Sequence, residues 1–481
     1  MRSAAASARS APLERLVGGI DVLQARGDFS AATIRGVTHR HAAVRPGALF
    51  CCLRGRRADG HDYAAAAVRA GAVALLCERV VEDVPAGVPQ VVVGDARAAM
   101  APVAASFWGH PSRSMAVAGI TGTNGKTTVT LLLQAVLEAA GRPCAVIGTL
   151  SGRHTTPEAP DLQAQLAGFL AAGAQAVAME VSSEALAQHR PDATWFEVVA
   201  FTNLSQDHLN FHGDMESYFA AKASLFDSSR ARIGVVNVDD PWGRRLADST
   251  RLAVRPFSLA DAVGLALDGG GARFSWDGEP VRLRLGGTFN VSNALAAAAA
   301  ARELGVSADA VAAGLGSVAA VPGRFERVDG GGPVAVIVDY AHTPAGLEHV
   351  LPAARGLAAA DGGRVIVVFG AGGDRDHAKR PLMGEAATRL ADVAVLTSDN
   401  PRSEDPLAII EEVRRGGAAS AGSLVVEPDR RAAIALALAE ARPGDVVVIA
   451  GKGHETTQTF AGGQAVPFDD RVVAREALAC R

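Results

Sequence analysis

Short runs rich in valine and isoleucine alternate along this chain with longer stretches of helical, alanine-rich sequence. Examples of these runs lie at residues 235–238, 334–339, 365–369, 393–397 and 446–449. Apolar runs of this length, separated by helices, are typical of buried parallel β-strands. The pattern therefore predicts an α/β fold built on parallel sheets that helices cover.

Two junctions marked by glycine and proline divide the sequence, one at residues 108–114 and one at residues 321–327. A chain of 481 residues is long enough for about three domains. We therefore predict three α/β domains, which cover residues 1–112, 113–323 and 324–481.

Composition and charge exclude several classes of protein. The 51 acidic and 47 basic residues give a net charge of −4, so the chain lacks the basic field of a nucleic-acid binder. The five cysteines are odd in number and lack metal-ligand spacing, which argues against a disulfide framework. No signal peptide and no run of about 18 apolar residues is found. We expect a cytoplasmic protein with no membrane or nucleic-acid partner.

Lysine is rare in this chain. Of the 47 basic residues only four are lysine, namely Lys126, Lys222, Lys379 and Lys452. The abundance of alanine and glycine indicates a GC-biased genome, in which a replaceable lysine tends to become arginine. The four that remain should mark positions that require a compact ammonium group or an amine that loses its proton.

The strongest motif is a strand, a glycine-rich loop and a helix. An apolar run at residues 115–120 precedes the loop at 121–128, which reads Thr-Gly-Thr-Asn-Gly-Lys-Thr-Thr. Such a loop directs backbone N–H groups at a polyphosphate, at the positive end of the helix. Lys126 would neutralise the β- and γ-phosphate oxygens, and the Thr127 hydroxyl would hold Mg²⁺. Ile120 departs from the strict Walker A pattern, but the motif still predicts nucleotide binding.

Glu180 and the segment that holds His208 and His212 indicate a cation site farther along the chain. Glu180 ends an apolar strand, where a buried carboxylate is costly unless it is paired or bound to a metal. His208 and His212 are four residues apart, which is weak support for zinc; an oxygen-rich Mg²⁺ shell with one imidazole is more plausible. Lys222 lies on an otherwise apolar helix, where burial lowers the pKa of a lysine and exposes a nucleophilic amine.

Polar segments follow strands in the second half of the chain. Asn290 to Asn293 open an alanine-rich helix and offer amides for an adenine edge, and Asp339 ends a strand where α/β sheets bind ligands. The loops at 370–381, 398–402 and 451–455 follow three separate strands. We predict that these three loops converge on one pocket.

Taken in order, these motifs resemble those of the Mur ligase family, the ATP-dependent amide-forming enzymes of peptidoglycan synthesis. The resemblance covers nearly the whole chain and rests on residues 121–127, 180–183, 202–208, 290–293, 339–342 and 451–455. It implies an N-terminal domain for the UDP end of the substrate and a central P-loop-like, mononucleotide-binding domain with a parallel sheet. The C-terminal domain would be Rossmann-like and would bind the incoming amino acid.

Within the family, the Asp-Asn-Pro-Arg segment at 399–402 resembles the signature of the form that adds meso-diaminopimelate. The resemblance implies that ATP phosphorylates the γ-carboxylate of D-Glu in UDP-N-acetylmuramoyl-L-Ala-D-Glu, and that the diaminopimelate amine then attacks the acyl phosphate. Diaminopimelate has one carboxylate more than lysine, and the Arg402 guanidinium would bind it with two hydrogen bonds. Such a pocket should reject lysine, because its arginine would be left unpaired.

The resemblance also assigns residues to each ligand. The catalytic residues it implies are Lys126, Glu180, His208 and Lys222. The ATP-binding residues are Gly122, Thr123, Asn124, Gly125, Lys126, Thr127, Thr128, Asn290, Asn293, Arg324 and Asp339. The metal ligands are Thr127, Glu180, His208 and Lys222, the last as a carbamate formed with CO₂. The UDP-substrate residues are His39, His41, Thr155, Thr156, Ser182, Gln188 and Arg190. The diaminopimelate-binding residues are Arg375, Asp399, Asn400, Pro401, Arg402, Gly451 and Glu455.

One departure and several alternatives stay open. The uridine-contacting segment of the family usually reads Asp-Ser-Arg, but Arg40 to Ala42 read Arg-His-Ala here. The alternatives are the lysine-adding form, the D-Ala-D-Ala-adding enzyme, a folylpolyglutamate-type synthetase, and a P-loop ATPase without ligase activity. Arg402 argues against the lysine form, and the three C-terminal polar loops argue against a plain ATPase. We expect a monomer.

Overall fold

The computed structural model describes residues 9–30, 32–55, 58–152, 154–268, 271–328, 332–359, 362–417 and 423–480. In these ranges the strands form three large sheets that follow one another along the chain. We call the segments built on them the N-terminal, middle and C-terminal units. No helix within the described ranges is both long and apolar enough to span a bilayer.

The N-terminal unit is built on a five-stranded sheet in the order β2-β7-β6-β5-β4, with β2 antiparallel to β7 and the other pairs parallel. Its strands are β1 (Ala11–Pro12), β2 (Gln24–Arg26), β3 (Thr33–Ile34), β4 (Gly36–Thr38), β5 (Ala48–Cys51), β6 (Ala72–Cys77) and β7 (Gln90–Val92). Its helices are α1 (Leu13–Val17), α2 (Ala64–Arg69) and α3 (Ala96–Trp108). The Asp95 side chain caps α3, and Gly109 ends it in the left-handed conformation.

The middle unit has a six-stranded parallel sheet in the order β13-β12-β11-β8-β10-β9, and a three-stranded antiparallel sheet, β14-β15-β16. Its strands are β8 (Ala116–Thr121), β9 (Cys144–Ile147), β10 (Ala176–Glu180), β11 (Val198–Phe201), β12 (Gly234–Asn237), β13 (Val254–Phe257), β14 (Val263–Asp268), β15 (Gly271–Trp276) and β16 (Glu279–Leu283). Its helices are α4 (Lys126–Ala139), α5 (Ala159–Ala171), α6 (Ser183–Ala187), α7 (Leu209–His212), α8 (Met215–Ala223), α9 (Pro241–Ser249), α10 (Thr288–Glu303) and α11 (Ala308–Ser317).

The position of β8 places the phosphate-binding motif. From β8 the chain first forms β9 and β10 on one side of the sheet, and it then crosses to build β11, β12 and β13 on the other side. Open parallel sheets bind ligands where the strand order reverses, at the carboxyl ends of the strands. The glycine-rich loop after β8 lies at this point. Residues 294–301 of α10 are all buried, and alanine at seven of these eight positions lets the helix pack closely against α4.

The C-terminal unit has a six-stranded sheet in the order β17-β18-β22-β19-β20-β21, parallel except for β17. Its strands are β17 (Glu326–Val328), β18 (Ala335–Asp339), β19 (Val365–Phe369), β20 (Val393–Leu396), β21 (Ser423–Val426), β22 (Val446–Ala450), β23 (Thr457–Thr459) and β24 (Ala465–Pro467). Its helices are α12 (Pro344–Ala359), α13 (Lys379–Leu390), α14 (Pro406–Gly417), α15 (Arg430–Glu440) and α16 (Asp470–Ala479).

Helices cover both faces of this C-terminal sheet, as the uninterrupted apolar strand at 365–369 predicts. Val365, Val367 and Phe369 pack in the core with α12, α13 and α14, whereas Ile366 and Val368 pack in the core with α15. Successive side chains of a strand point to opposite faces, so both faces are apolar. The structure confirms the α/β fold with a central mononucleotide-binding parallel sheet and a Rossmann-like C-terminal sheet. The exact domain limits stay a prediction.

Candidate active site

A cavity of about 550 Å³ lies between the middle and C-terminal units and is lined by the loops that follow their parallel strands. Most of the residues that the sequence proposes for ligands line it. They are Thr123, Asn124, Gly125, Lys126, Thr127, Thr128, Thr155, Thr156, Glu180, Ser182, Arg190, His208, Asn293, Arg324, Asp339, Arg375, Asp399, Asn400, Arg402, Gly451 and Glu455. The three C-terminal polar loops thus converge on one cavity, because the carboxyl ends of parallel strands share one edge of the sheet.

The glycine-rich loop is held in one conformation by its neighbours. Gly125 has φ +87°, and a Cβ there would lie 2.2 Å from Oδ1 of Asn293. Only glycine fits such a position without strain. Helix α4 begins at the next residue, and its free N–H groups face the cavity end of the loop. The Thr202 hydroxyl donates to the Asn124 carbonyl at 2.6 Å. The loop is therefore preformed to receive an anion.

Lys126 is folded back onto this loop. Its Nζ donates to the carbonyl oxygens of Gly122, at 2.8 Å, and Thr123, at 2.9 Å. Burial lowers the pKa of Lys126, since removal from water penalises the ammonium form. A phosphate oxygen in the cavity would compete directly with these two carbonyls for the ammonium protons.

Glu180 is the centre of a hydrogen-bonded cluster of oxygens. Its carboxylate is buried at the end of β10 and accepts from the Thr127 hydroxyl at 3.0 Å. It also accepts from the backbone N–H of Thr149 at 2.8 Å and from the Thr149 hydroxyl at 3.0 Å. Arg324 donates to the Thr127 hydroxyl at 3.2 Å. Thr127 therefore connects the carboxylate of the middle unit to a guanidinium just before β17.

Lys222 lies behind the loop and does not line the cavity. It is 1% exposed, its Nζ donates to the Gly122 carbonyl at 2.9 Å, and the same nitrogen stands 4.7 Å from the ring centre of Tyr218. The Gly122 carbonyl thus accepts from two lysines at once. Burial, reinforced by the charge of Lys126, holds the pKa of Lys222 well below its ordinary value. This environment favours a neutral amine.

His208 and Asp207 lie where the two units meet. His208 has φ +56°, and its ring nitrogens lie 3.4 Å from a carboxylate oxygen of Glu184 and 3.5 Å from one of Asp207. Lys379, from α13, donates to Asp207 at 3.2 Å, and His342 lies 3.7 Å from it. Burial opposes ionisation of Asp207, but the nearby His342 imidazole and the charge of Lys379 prevail and hold the pKa of Asp207 well below its usual range.

The part of the cavity that the loops after β19, β20 and β22 line combines two guanidiniums with carboxylates. Arg375 and Arg402 both line it, and burial together with the charge of Arg375 lowers the pKa of Arg402. Asn400 donates to a Glu455 oxygen at 2.8 Å, and the same oxygen accepts from buried Lys452 at 3.0 Å. Asp399 is buried, and its Oδ2 has no hydrogen-bond partner within the described part of the chain. The pocket thus presents groups for both carboxylates and ammonium ions.

Arg324 and Asp339 lie where the C-terminal unit meets the glycine-rich loop. The Arg324 guanidinium stacks over the Tyr340 ring at 4.3 Å. Asp339 accepts from the backbone N–H groups of Phe325, at 2.6 Å, and Ala341, at 2.7 Å. Burial raises the pKa of Asp339. Asp339 thus fixes the backbone directly after Arg324 and directly after Tyr340. It thereby positions the Arg324 guanidinium.

The remaining predicted residues do not line this cavity. Asn290 is buried and donates to the Gly286 carbonyl, so its amide stabilises the start of α10. Gln188 lines a second cavity of about 540 Å³, together with Arg54 and Arg97 of the N-terminal unit. The residues that lie farther away or behind the wall are Gly122, Lys222, Pro401, His39 and His41. Burial lowers the pKa of His39, and the His41 ring stacks on Tyr63.

His212 and His208 do not form a metal site together. Its Nε2 bonds the Ser183 hydroxyl at 2.9 Å, its ring stacks on Tyr218, and burial lowers the pKa of His212 to about 4. Within the described ranges, no group of three or more histidine, cysteine, aspartate or glutamate side chains is arranged to hold a metal ion.

Sequence reasoning missed several residues of the site, among them Glu184 and Tyr340, which also line the cavity. Thr149, Asp207 and Lys379 line the cavity or bond to its wall, and none was assigned to a ligand. The rarity of lysine was the available signal for Lys379, since all four lysines lie in the wall of the cavity or directly behind it. Thr149 follows β9 without any motif that identifies it.

Comparison with known proteins identifies the family. Family models match residues 33–108 (Mur ligase family, catalytic domain), 120–301 (Mur ligase middle domain) and 323–453 (Mur ligase, glutamate ligase domain). A protein of Streptomyces coelicolor is 45% identical over 97% of this chain and 96% of its own length. The chain belongs to the Mur ligase family. This Mur ligase is also 46% identical to a protein of Geobacter metallireducens, over 95% of this chain and 96% of the relative.

Both relatives of this Mur ligase are named UDP-N-acetylmuramoyl-L-alanyl-D-glutamate–2,6-diaminopimelate ligase. A solved structure with the same name has 31% identity and a TM-score of 0.67, and the match covers 98% of this chain and 99% of that one. The MurF ligase from Thermotoga maritima, in complex with ADP, shares the fold, with 21% identity, a TM-score of 0.62 and coverage of 92% and 96%. These findings confirm the resemblance drawn from the motifs, and with it an ATP-dependent, amide-forming ligase.

Proposed function

We propose that this Mur ligase adds meso-diaminopimelate to the γ-carboxylate of D-Glu in UDP-N-acetylmuramoyl-L-Ala-D-Glu, with ATP converted to ADP. One observation carries the proposal: a single cavity joins the phosphate-loop residues Lys126 and Thr127 to the guanidiniums of Arg375 and Arg402. An ATP-dependent ligase must bring an activated acid and an amine together, and such a cavity supports that reaction. The names of the relatives at 45–46% identity support the same substrates.

In this proposal Lys126 exchanges its two carbonyl partners for oxygens of the β- and γ-phosphates. The N–H groups at the start of α4 bind the same phosphates, and Asn293 with Arg324 completes the nucleotide side. The acid, the nucleotide and the transition state all carry negative charge, so preorganised cations and N–H dipoles lower the barrier. Arg324 is already held against Thr127 and Tyr340 and needs little rearrangement.

The oxygens near Glu180 fit a magnesium ion. The Thr127 hydroxyl and the Glu180 carboxylate lie 3.0 Å apart, and the His208 imidazole lines the same cavity. Hard oxygen ligands with water and phosphate oxygens are the usual magnesium shell. Bound there, Mg²⁺ would neutralise phosphate charge. Thr127, Glu180 and His208 would hold it while Lys126 binds the phosphate oxygens.

Lys222 would complete this region as a carbamate. A neutral amine attacks CO₂: an N–C bond forms as one C=O π bond opens, and the nitrogen releases one proton, which leaves an anionic carbamate. Counted from the ammonium form, two protons leave in all. Burial and the nearby charge of Lys126 favour the neutral amine that this step requires. The carbamate oxygens would then serve as a metal ligand beside Lys126. As an anion, the carbamate would also remove the repulsion between the ammonium groups of Lys126 and Lys222.

The incoming amino acid would lie against the loops after β19, β20 and β22. Arg375 and Arg402 would bind the carboxylate that lysine lacks, while Asp399 and Glu455 would hold ammonium groups, and Asn400, Pro401 and Gly451 would shape the contact. Bound lysine would leave Arg375 and Arg402 without the carboxylate that pairs with them. The attacking amine then meets the acyl phosphate carbon, an amide bond forms, and phosphate leaves.

The UDP substrate would extend from this cavity towards the N-terminal unit. Thr155, Thr156, Ser182 and Arg190 line the cavity near Glu180, so they would contact the peptide end. Gln188 lines the neighbouring cavity with the N-terminal arginines, which would suit phosphates. His39 and His41 would contact the uridine end. We further propose a cytoplasmic monomer with no nucleic-acid or membrane partner.

A panel of amine acceptors tests the function. Phosphate release is measured with UDP-N-acetylmuramoyl-L-Ala-D-Glu, ATP and, in turn, meso-diaminopimelate, L-lysine, D-Ala-D-Ala and L-glutamate. We expect rapid turnover with meso-diaminopimelate alone. Equal turnover with L-lysine would refute the choice of substrate. Full ATP hydrolysis without any acceptor would instead support a plain ATPase.

A further inference from the structure

Arg380 is a fully buried cation that does not line the catalytic cavity. It is the second residue of α13 and has 0% exposure. Its Nη1 donates to Glu404 at 2.9 Å and its Nη2 donates to the other oxygen of the same carboxylate at 2.8 Å. Glu412 accepts a further bond from Nη1 at 2.9 Å, and the Gly372 carbonyl accepts one from Nη2 at 3.3 Å. A buried guanidinium with two carboxylate partners is costly to keep, so its position requires an explanation.

The partners of Arg380 belong to the two loops that carry the pocket arginines. Glu404 follows β20 and accepts from the backbone N–H of Asp374, in the loop after β19, at 2.5 Å. Ser403 donates to the Asp374 carboxylate at 2.5 Å, and the backbone N–H of Gly373 donates to the Asn400 carbonyl at 2.9 Å. The two loops are thus bonded to each other at several points, and Arg380 bonds to both.

The contact between the loops leaves no room for a side chain. A Cβ on Gly373 would lie 1.9 Å from the Pro401 carbonyl oxygen, and one on Gly372 would lie 2.9 Å from Nη1 of Arg402. Arg402 itself has φ +53°, in the left-handed region that non-glycine residues rarely occupy. Its Nη1 donates to the Gly373 carbonyl at 2.5 Å. The direction of the Arg402 guanidinium therefore depends on the relative position of the two loops.

Arg375 and Arg402 repel each other. Both line the cavity, and the charge of Arg375 adds to burial in lowering the pKa of Arg402. With no carboxylate between them, this repulsion acts against the contact between the two loops, although Arg375 is exposed and solvent screens part of it. Arg380 opposes it, because one side chain bonds the Glu404 carboxylate of one loop and the Gly372 carbonyl of the other.

We propose that Arg380 and Glu404 are positioning residues that fix the spacing between Arg375 and Arg402, and that this spacing selects an amine with a second carboxylate. The inference rests on the proposed function and extends it to residues outside the cavity. A bidentate carboxylate contact tolerates little displacement, and an error of about 1 Å in a substrate-positioning group costs up to about 100-fold. The Arg380–Glu404 pair supplies the rigidity that such a contact needs.

The Arg380→Lys variant tests this. Lysine keeps the charge but loses the planar fork that bonds Glu404 twice. We expect KM for meso-diaminopimelate to rise about 10- to 100-fold, with KM for ATP and for the UDP-dipeptide within about twofold of wild type. The preference for meso-diaminopimelate over L-lysine should fall by a similar factor. A purely structural role would instead alter kcat and every KM together with the melting temperature.

Arg414→Lys is the matched control. Arg414 makes the same two-bond contact, with Glu411 on α14, but both side chains are about half exposed. An exposed pair contributes little, so this variant should keep wild-type kinetics with all three substrates.

Glu404→Gln provides a second variant if Arg380→Lys does not fold. It keeps an oxygen for Asp374 and weakens the contact with Arg380, and it should raise KM for meso-diaminopimelate in the same selective way. In the variant that combines Arg380→Lys with Glu404→Gln, the two increases in KM should not multiply, because both changes break the same contact. An unchanged KM for meso-diaminopimelate in both variants would overturn the inference. Wild-type protein that does not use meso-diaminopimelate would instead refute the proposed function.

Discussion

Arg402→Lys is the substitution that tests the amino-acid pocket most sharply. Arg402 uses one Nη1–H for the Gly373 carbonyl at 2.5 Å, and its remaining N–H groups are available to the cavity. Lysine presents a point charge and cannot bind a carboxylate through two parallel bonds. The left-handed backbone at φ +53° strains lysine as much as arginine, so the backbone cost cancels in the comparison. The loss therefore comes from the side-chain contact alone.

The magnitude follows from the number of bonds lost. One charge-assisted hydrogen bond contributes about 1.5–3 kcal/mol. Loss of one bond of the bidentate pair should raise KM for meso-diaminopimelate by about 10- to 150-fold, at about 1.4 kcal/mol per tenfold change. Lysine in place of Arg402 also loses the Nη1 bond to the Gly373 carbonyl, so the loss should lie near the upper end of this range.

The assay is phosphate release at saturating ATP and UDP-dipeptide, with meso-diaminopimelate varied. Calorimetry with ADP serves as the internal control, because Arg402 belongs to a loop of the C-terminal unit and touches no residue of the glycine-rich loop in the described contacts. We expect ADP affinity to stay unchanged. Wild-type kinetics with meso-diaminopimelate in the Arg402→Lys variant would refute the reasoning, since Arg402 would then not be the selecting group.

Three further predictions concern other parts of the molecule. Lys222→Ala should lose activity and recover part of it with added short carboxylates in a phosphate-release assay; full activity without them would exclude a carbamate. Gly125→Ala should abolish ADP binding in calorimetry, because its Cβ would lie 2.2 Å from Asn293; retained affinity would show that the loop adapts. Asp445 accepts four hydrogen bonds, three of them from Arg364, and although burial opposes ionisation, these bonds lower the pKa of Asp445. Its stabilisation is therefore present above the ordinary pKa of aspartate, about 3.9, and is lost as the pH falls through the lowered value. Asp445→Asn should reduce the melting temperature at pH 7, and this difference should close in acid; an equal difference at pH 7 and pH 3 would contradict it.

The parallel sheets were predictable because their signal is local. The run at 365–369 coincides with β19 and that at 393–397 contains β20, since a strand buried on both faces must be apolar at every position. The antiparallel strand β14 was not predicted. Five of its six residues are exposed, among them Val263, so the burial that gives a strand its sequence pattern is absent there.

The convergence of the polar loops was also predictable, because the carboxyl ends of parallel strands share one edge. The hydrogen-bond partners across that edge could not be predicted. The bond between Asp207 and Lys379 joins residues 172 positions apart, and no local pattern encodes such a pairing. Asn290 shows the same limit: an amide beside a helix start looks available to adenine, yet its Nδ2 bonds the Gly286 carbonyl, and its contact with the nucleotide stays a prediction. Sequence shows the residue type, and only packing shows which way its donors point.

A crystal structure with ADP and the UDP-tripeptide product would test the central claim most directly. We predict the nucleotide phosphates on Lys126 and on the N-terminus of α4, and the distal diaminopimelate carboxylate between Arg375 and Arg402. Phosphates bound far from Lys126, or a product carboxylate that contacts neither guanidinium, would contradict the account.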